Sequence, residues 1–221
     1  MRTFSCSAIL FDLDGVLVNS IAAVESAWRK FAARHKLDPQ QVVQTAHGHR
    51  SIEVIRILTP GLNAEVENAI VEQDEVDDTN GLSATEGASE LLSILPPERW
   101  TIVTSGTRPV ATTRLQVTGL PVPSGMVTAS EVTNGKPHPE AYLKGAEALG
   151  FNGEQCLVFE DAPSGIRAAH AAGAKVIGIP GTYYGADLRE ADALLRSLAN
   201  VSVEVRRDGL LIRVPDFTEL E

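Results

Sequence analysis

Short apolar runs in this chain alternate with longer segments whose apolar residues recur at helical spacing. Runs of strand length occupy residues 8–11, 100–104, 125–128, 156–159 and 175–179. Segments with helical periodicity occupy residues 86–95, 108–118, 139–149 and 164–172. This alternation predicts a parallel sheet with helices on both faces. Residues 201–214 alternate around Asp208-Gly209, which predicts a hairpin that extends or caps the sheet edge.

The stretch between the first two strands, residues 12–99, is far too long for one crossover helix. Within it, helical periodicity also occupies residues 20–36, 51–58 and 63–76. We therefore expect an α/β fold with a Rossmann-like parallel-sheet core, residues 1–17 and 84–221. A small helical cap domain, residues 18–83, would be inserted after the first strand. A cap there would exclude water and select a substrate; the alternative is an extra helical layer that does not move.

Composition and charge narrow the class of protein. The 221 residues are 43% hydrophobic, which is enough for a packed core. The net charge of −10 disfavours nucleic acid and anionic membranes as partners, although a local site can still bind a small anion. Cys6 and Cys156 are too few for a disulfide framework, and no apolar run suits a signal peptide or a spanning helix. We expect a monomer in the reducing cytoplasm.

Asp12 and Asp14 directly follow the first apolar run, and Gly15 comes next. Ligands bind outside the carboxyl ends of the strands in open α/β sheets. Burying two close carboxylates without a counter-charge is costly, so a hard divalent cation such as Mg²⁺ is expected beside them. The alternative is that both aspartates only form a turn before the glycine.

Two other segments carry groups that suit a phosphate. Ser105 and Gly106 follow the second strand, where a hydroxyl and a backbone amide can hold a phosphate oxygen; the alternative is helix capping. Lys136 lies between a glycine and a proline in a loop before a helix, and near carboxylates it would stabilise a developing phosphoryl anion. The alternative is a solvent-exposed lysine. His138 is expected to make a structural hydrogen bond.

A second carboxylate pair, Glu160-Asp161, ends the apolar strand at residues 156–159. If this strand neighbours the first, Asp12, Asp14 and Asp161 converge at one edge of the sheet. Acidic groups, a lysine and an anion hole together describe metal-assisted phosphoryl transfer.

Four segments resemble the motifs of the haloacid dehalogenase-like hydrolase superfamily. They are Asp12-Leu-Asp14-Gly, Ser105-Gly106, Gly135-Lys136-Pro and Glu160-Asp161. The resemblance covers nearly the whole chain, and the helical insertion is similar to that superfamily's small cap. The longer segments 103–108, 135–145 and 159–166 resemble sugar-phosphate and polyol-phosphate phosphatases.

This resemblance implies a Mg²⁺-dependent phosphatase that acts on a small phosphorylated sugar or polyol through an aspartyl-phosphate intermediate. It makes Asp12 the nucleophile and Asp14 the general acid and base. Mg²⁺ would be bound by Asp12, by Asp14 through its main-chain carbonyl, and by Asp161. Glu160 would support these ligands or serve as an alternate one.

The resemblance also implies how substrate is held. Ser105 and the Gly106 amide would bind the phosphate, and Lys136 would bridge the phosphate and the nucleophile. The cap loop would contact the sugar or polyol through His47, Gly48, His49 and Arg50. The alternative for that loop is a solvated turn between helices.

Other activities fit the sequence less well. A dehalogenase does not need Asp14, and a phosphonate hydrolase needs a cap lysine, which residues 37–135 lack. A sugar phosphomutase of the β-phosphoglucomutase type has a histidine where Val24 stands. A non-catalytic sugar-phosphate sensor would not need the intact acidic residues. Hydrolysis is therefore the favoured reaction, while the sequence does not name the sugar or polyol.

Overall fold

The computed structural model describes residues 1–46, 48–181, 183 and 185–215. The strands are β1 (Arg2–Cys6), β2 (Ala8–Phe11), β3 (Val18–Asn19), β4 (Ser83–Ala84), β5 (Trp100–Ile102), β6 (Cys156–Glu160), β7 (Lys175–Gly178), β8 (Ala193–Leu194), β9 (Ser202–Arg206) and β10 (Gly209–Val214). The α-helices are α1 (Ile21–His35), α2 (Pro39–Ala46), α3 (Ser51–Leu58), α4 (Ala64–Asp77), α5 (Ala88–Ile94), α6 (Arg108–Thr118), α7 (Glu140–Ala148) and α8 (Pro163–Ala171). Among the described residues, no helix is both long enough and apolar enough to span a membrane.

A parallel sheet in the order β5-β2-β6-β7-β8 forms the core. Strand β2 is buried along its whole length. Ile9 and Phe11 pack into the hydrophobic cluster on one face with helices α5 and α6, while Ala8 and Leu10 pack on the other face with α7 and α8. Because helices cover both faces, the strands have continuous apolar sequences. The predicted α/β fold is confirmed.

Helices α1 to α4, here called the helical insertion, lie between β3 and β4. These two short strands pair antiparallel, with Val18 opposite Ala84 and Asn19 opposite Ser83. The helical insertion also has a hydrophobic cluster of its own, which includes Phe31. The pairing lies where the borders of the cap domain were expected, and the division into two domains stays a prediction.

Some predicted elements differ from the structure. The segment predicted as a strand at residues 125–128 makes one isolated bridge, between Val127 and Val103, and is not a strand. Helix α2 is not expected from the sequence pattern, although the Asp38 carboxylate accepts from the Gln40 amide at 2.8 Å at its start. Helix α2 has only Val42, Val43 and Ala46 as apolar positions, too few for periodicity to be read, whereas α3, which is equally long, has five.

The C-terminal hairpin forms, but it does not extend the parallel sheet. Strand β10 pairs with β9 and with β1, which gives a separate antiparallel sheet in the order β1-β10-β9. Arg206 is opposite Gly209, so the turn residues are Arg207 and Asp208 rather than the predicted Asp208-Gly209. The expected sheet extension is wrong because β1, a polar strand that the sequence pattern does not predict, pairs with the hairpin.

Candidate active site

The carboxyl ends of β2 and β6 lie side by side at one edge of the parallel sheet. Asp12 follows β2, and Asp161 follows Glu160, the last residue of β6. The Asp12 amide donates to the Phe159 carbonyl at 2.9 Å, which continues the ladder between the two strands. Strand pairing therefore brings Asp12 and Asp161 together, as expected for neighbouring strands, and places Glu160 beside them, whereas the Asp14 carboxylate is not part of this cluster.

Lys136 reaches this edge from the loop before α7 and is buried against the carboxylates. Its Nζ donates to Asp12 Oδ1 and Glu160 Oε1, each at 2.6 Å, and to the Val103 carbonyl at 3.3 Å. Burial lowers the pKa of Lys136, but the negative charges of Asp12 and Glu160 raise it by more than burial lowers it. The pKa of Lys136 therefore lies above its usual range. Lys136 is thus a buried cation beside Asp12, and the alternative of a solvent-exposed lysine is wrong.

Glu160 is completely buried, and both of its oxygens accept hydrogen bonds from the protein. Besides Lys136, the Tyr142 hydroxyl donates to Oε1 at 2.8 Å and the Ala162 amide donates to Oε2 at 2.9 Å. Burial, followed by the charge of Glu160, raises the pKa of Tyr142 well above its usual value, so this hydroxyl stays a donor. Glu160 therefore holds Lys136 in place.

The carboxylates of Asp12, Glu160 and Asp161 could together hold a metal ion, since oxygens from all of them lie within 4.8 Å of one another. Burial raises the pKa of Asp12 to about 7, with Lys136 opposing the rise, and burial raises the pKa of Asp161 well above its usual value. The single positive charge of Lys136 does not balance this cluster. An all-oxygen set with excess negative charge fits a hard divalent cation such as Mg²⁺.

The contact between Gly15 and Asp161 explains the glycine that follows the paired aspartates. Gly15 has a positive φ of 78°, which glycine adopts readily. A Cβ atom at this position would lie 2.1 Å from Asp161 Oδ2. Any side chain there would therefore displace the Asp161 carboxylate from the cluster.

Asp14 lies at the wall of the same cavity but has different partners. Ser20 Oγ donates to Asp14 Oδ1 at 2.6 Å, and Arg114 Nη1 donates to Asp14 Oδ2 at 2.7 Å. Arg114, buried on α6, also donates from Nη2 to Glu75 Oε1 at 3.3 Å. Asp14 is therefore oriented at both oxygens, and Arg114 connects it to helix α4 of the helical insertion.

Arg114 and Glu75 belong to none of the recognised motifs. Their positions on the apolar faces of two helices nevertheless indicate that both are buried. Arg114 precedes the buried Leu115 on the core-facing side of α6, and Glu75 stands one turn after the buried Val71 on α4. A charged residue at such a position must have a partner inside the protein. Charge on the apolar face of a helix is thus the feature that could have revealed them.

Ser105 and Gly106 lie after β5 and line the same cavity, together with Thr104. The Gly106 amide donates to the Thr104 hydroxyl at 3.0 Å. Helix α6 begins at Arg108, and its N-cap residue is Thr107. Ser105 therefore does not cap the helix, and the capping alternative is wrong for it.

The cap loop at residues 47–50 contacts the core. His47 lies outside the described residues, while Gly48 and His49 line the cavity that contains the carboxylates. Gly48 has a φ of 73°, and a Cβ there would lie 2.9 Å from Ala162 Cβ. The Gly48 carbonyl accepts from Ser164 Oγ at 3.2 Å. Glycine thus allows the loop to approach the core closely at Gly48, while His49 is exposed, and contact between this loop and a substrate stays a prediction beside the solvated turn.

Arg50 is not among the described residues that line this cavity. Its Nη1 donates to the Thr133 carbonyl at 2.9 Å, and its Nη2 donates to the Ala129 carbonyl at 3.2 Å. Arg50 also pairs weakly with Glu53, at 3.4 Å. Arg50 therefore ties the helical insertion to a loop of the core, and substrate contact by Arg50 stays a prediction without support from this arrangement.

Glu140 holds the loop that carries Lys136. Its carboxylate accepts from the Thr133 and Asn134 amides, each at 2.9 Å. These hydrogen bonds, that of Thr133 foremost, lower the pKa of Glu140 to about 2. His138 Nδ1 accepts from the Glu140 amide at 3.3 Å, which is the kind of structural hydrogen bond expected of it.

Comparison with known proteins relates the site to a family. Residues 6–173 match the family model of the haloacid dehalogenase-like hydrolases. The chain is 42% identical over 212 residues to hexitol phosphatase A of Escherichia coli (strain K12), which covers 94% of this chain and 98% of that protein. It is 38% identical over 189 residues to glycerol-1-phosphate phosphohydrolase 2 of Saccharomyces cerevisiae, covering 80% and 76% of the two chains.

A solved structure of β-phosphoglucomutase from Clostridium difficile has a similar fold. Its TM-score is 0.70 and its sequence identity 26%, over 88% of this chain and 92% of that one. The family match spans most of the chain, including every segment on which the resemblance rests, and the identity to the first relative extends over nearly its full length. The resemblance is confirmed: the chain belongs to the haloacid dehalogenase-like hydrolase family.

Proposed function

We propose that this protein is a Mg²⁺-dependent phosphatase that hydrolyses small sugar or polyol phosphates. The observation that carries the proposal is the Asp12 carboxylate, held at 2.6 Å by the buried Lys136 ammonium at the wall of a cavity. Two similar proteins are named as phosphatases of hexitol phosphate and glycerol 1-phosphate. Both names support a small, polyhydroxylated leaving group.

Asp12 is the nucleophile in this proposal. One of its oxygens attacks phosphorus, the bond between phosphorus and the ester oxygen breaks, and an aspartyl phosphate forms as the alcohol leaves. Lys136 contacts the attacking carboxylate and stabilises the charge on the phosphoryl oxygens. The Ser105 hydroxyl at the same cavity wall binds the phosphoryl group, and the Gly106 amide exchanges its hydrogen bond to the Thr104 hydroxyl for one to the phosphoryl group.

Asp14 transfers the protons. Its carboxyl group gives a proton to the leaving alkoxide in the first step. In the second step it takes a proton from the water that attacks phosphorus, which releases inorganic phosphate and restores the Asp12 carboxylate. Ser20 and Arg114 hold the two Asp14 oxygens, and this fixed orientation serves both transfers.

Asp12, Asp161 and the main-chain carbonyl of Asp14 would hold Mg²⁺. The bound ion supplies positive charge that offsets the repulsion between the phosphoryl group and the carboxylates. Glu160 already accepts hydrogen bonds at both oxygens, so we assign it to positioning Lys136 rather than to the metal.

Phosphomutation is the alternative reaction, because a β-phosphoglucomutase has a similar structure. A mutase returns the phosphoryl group to a sugar hydroxyl instead of passing it to water. The resemblance implies that such a mutase has a histidine at the position of Val24 in this chain. Val24 lines the cavity. An apolar side chain cannot exchange a proton with a sugar hydroxyl, and this favours hydrolysis.

Phosphate release by the purified protein tests the proposal. After treatment with EDTA, the protein should release no phosphate from glycerol 1-phosphate or from hexitol phosphates, and added Mg²⁺ should restore release. Parallel additions of Mn²⁺ and Ca²⁺ test the choice of ion. Full turnover by the metal-free protein would contradict the metal requirement. Conversion of β-glucose 1-phosphate to glucose 6-phosphate without phosphate release would instead support the mutase.

The monomeric state and the cytoplasmic location stay predictions. Cys6 and Cys156 are both free thiols, which suits a reducing compartment. Light scattering on the purified protein tests the first prediction, and cell fractionation tests the second.

A further inference from the structure

An ion pair joins the helical insertion to the core at the wall of the cavity. Glu75 on α4 and Arg114 on α6 both line the cavity, and Arg114 Nη2 lies 3.3 Å from Glu75 Oε1. The side chains of Arg114 and Glu75 are only 3% and 12% exposed. Removing two charges from water is costly, and apolar side chains would join two packed helices at a lower cost. A structural role alone therefore explains the pair poorly.

Protein groups do not complete the hydrogen bonding of this pair. Glu75 Oε2 has no hydrogen-bond partner among the described residues, and the Glu75 side chain is 12% exposed at the cavity wall. A polar atom that is largely removed from water and has no partner is unfavourable. A ligand hydroxyl in the cavity can satisfy this oxygen, since its O–H donates to a carboxylate.

The position of the pair indicates which part of a substrate it would meet. Arg114 Nη1 donates to Asp14, the residue that we propose protonates the leaving oxygen. The pair therefore lies beside the residue that protonates the leaving oxygen, where Glu75 can meet the leaving alcohol.

Apolar side chains at the same cavity wall indicate that the ligand also has a carbon chain to pack against them. Ile21, Val24 and Trp28, all from α1, line the cavity beside the ion pair. They can pack against the C–H groups of a carbon chain while charged groups bind its hydroxyls. This combination suits a short polyhydroxylated chain and offers less to an aliphatic one.

We propose that Glu75, held in place by Arg114, is the hydroxyl-binding residue that selects polyol and sugar phosphates over simple alkyl phosphates. Glu75 accepts a hydrogen bond from a hydroxyl of the leaving alcohol, while Arg114 Nη2 orients the Glu75 carboxylate. The inference rests on the proposed phosphatase function and adds the residues that determine its substrate class.

Two esters of equal chain length, glycerol 1-phosphate and n-propyl phosphate, test the inference. The wild-type protein with Mg²⁺ should prefer glycerol 1-phosphate in kcat/KM by about tenfold to a hundredfold, the scale of one or two charged hydrogen bonds. Glu75→Ala should remove most of this preference. Glu75→Gln keeps the size of the side chain and one acceptor oxygen, so it should remove only part of the preference for glycerol 1-phosphate. This variant replaces Glu75→Ala in the test if the alanine variant does not fold.

Glu65→Gln is the matched control, because Glu65 lies on the same helix, is 68% exposed and, among the described residues, pairs with Arg56 alone. It should leave the preference between the two esters unchanged. A wild-type preference near one, or an equal loss on both esters in the Glu75 variants, would overturn the inference and make the pair structural. If the wild-type protein hydrolyses neither these esters nor any other sugar or polyol phosphate, the proposed function itself fails, and the inference fails with it.

Discussion

The cavity has two walls, and they are built in opposite ways. In the core wall, strand pairing places Asp12 and Glu160, and Lys136 is bonded to both of them. In the wall formed by the helical insertion, apolar side chains such as Trp28 line the cavity together with Glu75, which has an oxygen without a partner among the described residues. A wall whose charged groups are fixed by strand pairing suits chemistry shared by many substrates, and a mostly apolar wall with one open acceptor suits the choice among them.

The two walls also differ in how they are attached. The core wall is part of the buried sheet, whereas the helical insertion joins the core through β3 and β4 and through a few polar contacts. Those contacts include the hydrogen bonds of Arg50 to a core loop, that of Ser164 to Gly48, and that of Arg114 to Glu75. We therefore expect the helical insertion to open as a unit without disturbing the carboxylates.

The largest effect is expected from Asp12→Asn in the core wall. An amide is a poor nucleophile, so hydrolysis of every phosphate ester should fall by about 10⁴-fold or more. The amide has nearly the same size, its oxygen can still accept from Lys136, and Lys136 keeps Glu160 as its charge partner, so the melting temperature should change little. Steady-state assays and thermal melting check both points.

The exposed Asp208→Asn is the control for this prediction. Activity of Asp12→Asn within tenfold of wild type would show that Asp12 is not the nucleophile.

Asp14→Asn should give the next largest effect, and one that depends on the leaving group. General acid catalysis contributes about 10²-fold to 10⁴-fold for a poor alkoxide leaving group and little for nitrophenolate. Burst kinetics with glycerol 1-phosphate and with nitrophenyl phosphate separate the first step from the second. Equal burst-rate losses with the two esters would show that Asp14 does not act as the acid.

Arg50→Ala tests the attachment of the helical insertion. Because Arg50 bonds to the Thr133 and Ala129 carbonyls, its loss should lower kcat/KM for sugar phosphates and for acetyl phosphate alike, by about tenfold. Arg56→Ala, at an exposed position of helix α3, which begins directly after Arg50, is the control. A loss confined to sugar phosphates would show instead that Arg50 contacts the sugar.

The smallest effect is expected from Glu140→Gln, which weakens the loop that carries Lys136. A glutamine has one acceptor oxygen for two amides, so Lys136 should be held less firmly and kcat/KM should fall by less than about tenfold. The pKa of Glu140 is lowered to about 2 in the folded protein. Its contribution to stability is therefore complete above the unfolded pKa near 4.5 and is lost as the pH falls toward 2. Acid unfolding that is identical in wild type and variant would contradict this role.

The sequence predicts the core wall well because strands and motifs are local features. Asp12, Glu160 and Asp161 each come at or directly after the end of an apolar run, so the β-α-β pattern already places them at one edge. The strand that was predicted wrongly, at residues 125–128, has a single bridge, and apolar character alone cannot supply a pairing partner.

The wall formed by the helical insertion is harder to predict because its geometry depends on how two helical surfaces meet. Arg114 and Glu75 are 39 positions apart and come from different helices, and no local pattern sets their distance. Arg50 shows the same limit, since its position in a polar loop suits a substrate ligand as well as a contact with the core. Only the packed structure distinguishes the two.

Trapping of the covalent intermediate tests the central claim most directly. Asp14→Asn protein is mixed with Mg²⁺ and radiolabelled nitrophenyl phosphate, since this variant slows the attack of water more than the departure of nitrophenolate. After acid quench and peptide mapping, we predict a hydroxylamine-sensitive label on the peptide that contains Asp12, and no label when Asp12→Asn is added to the variant. Release of nitrophenolate with no label on the protein, or with the label on another residue, would contradict the account.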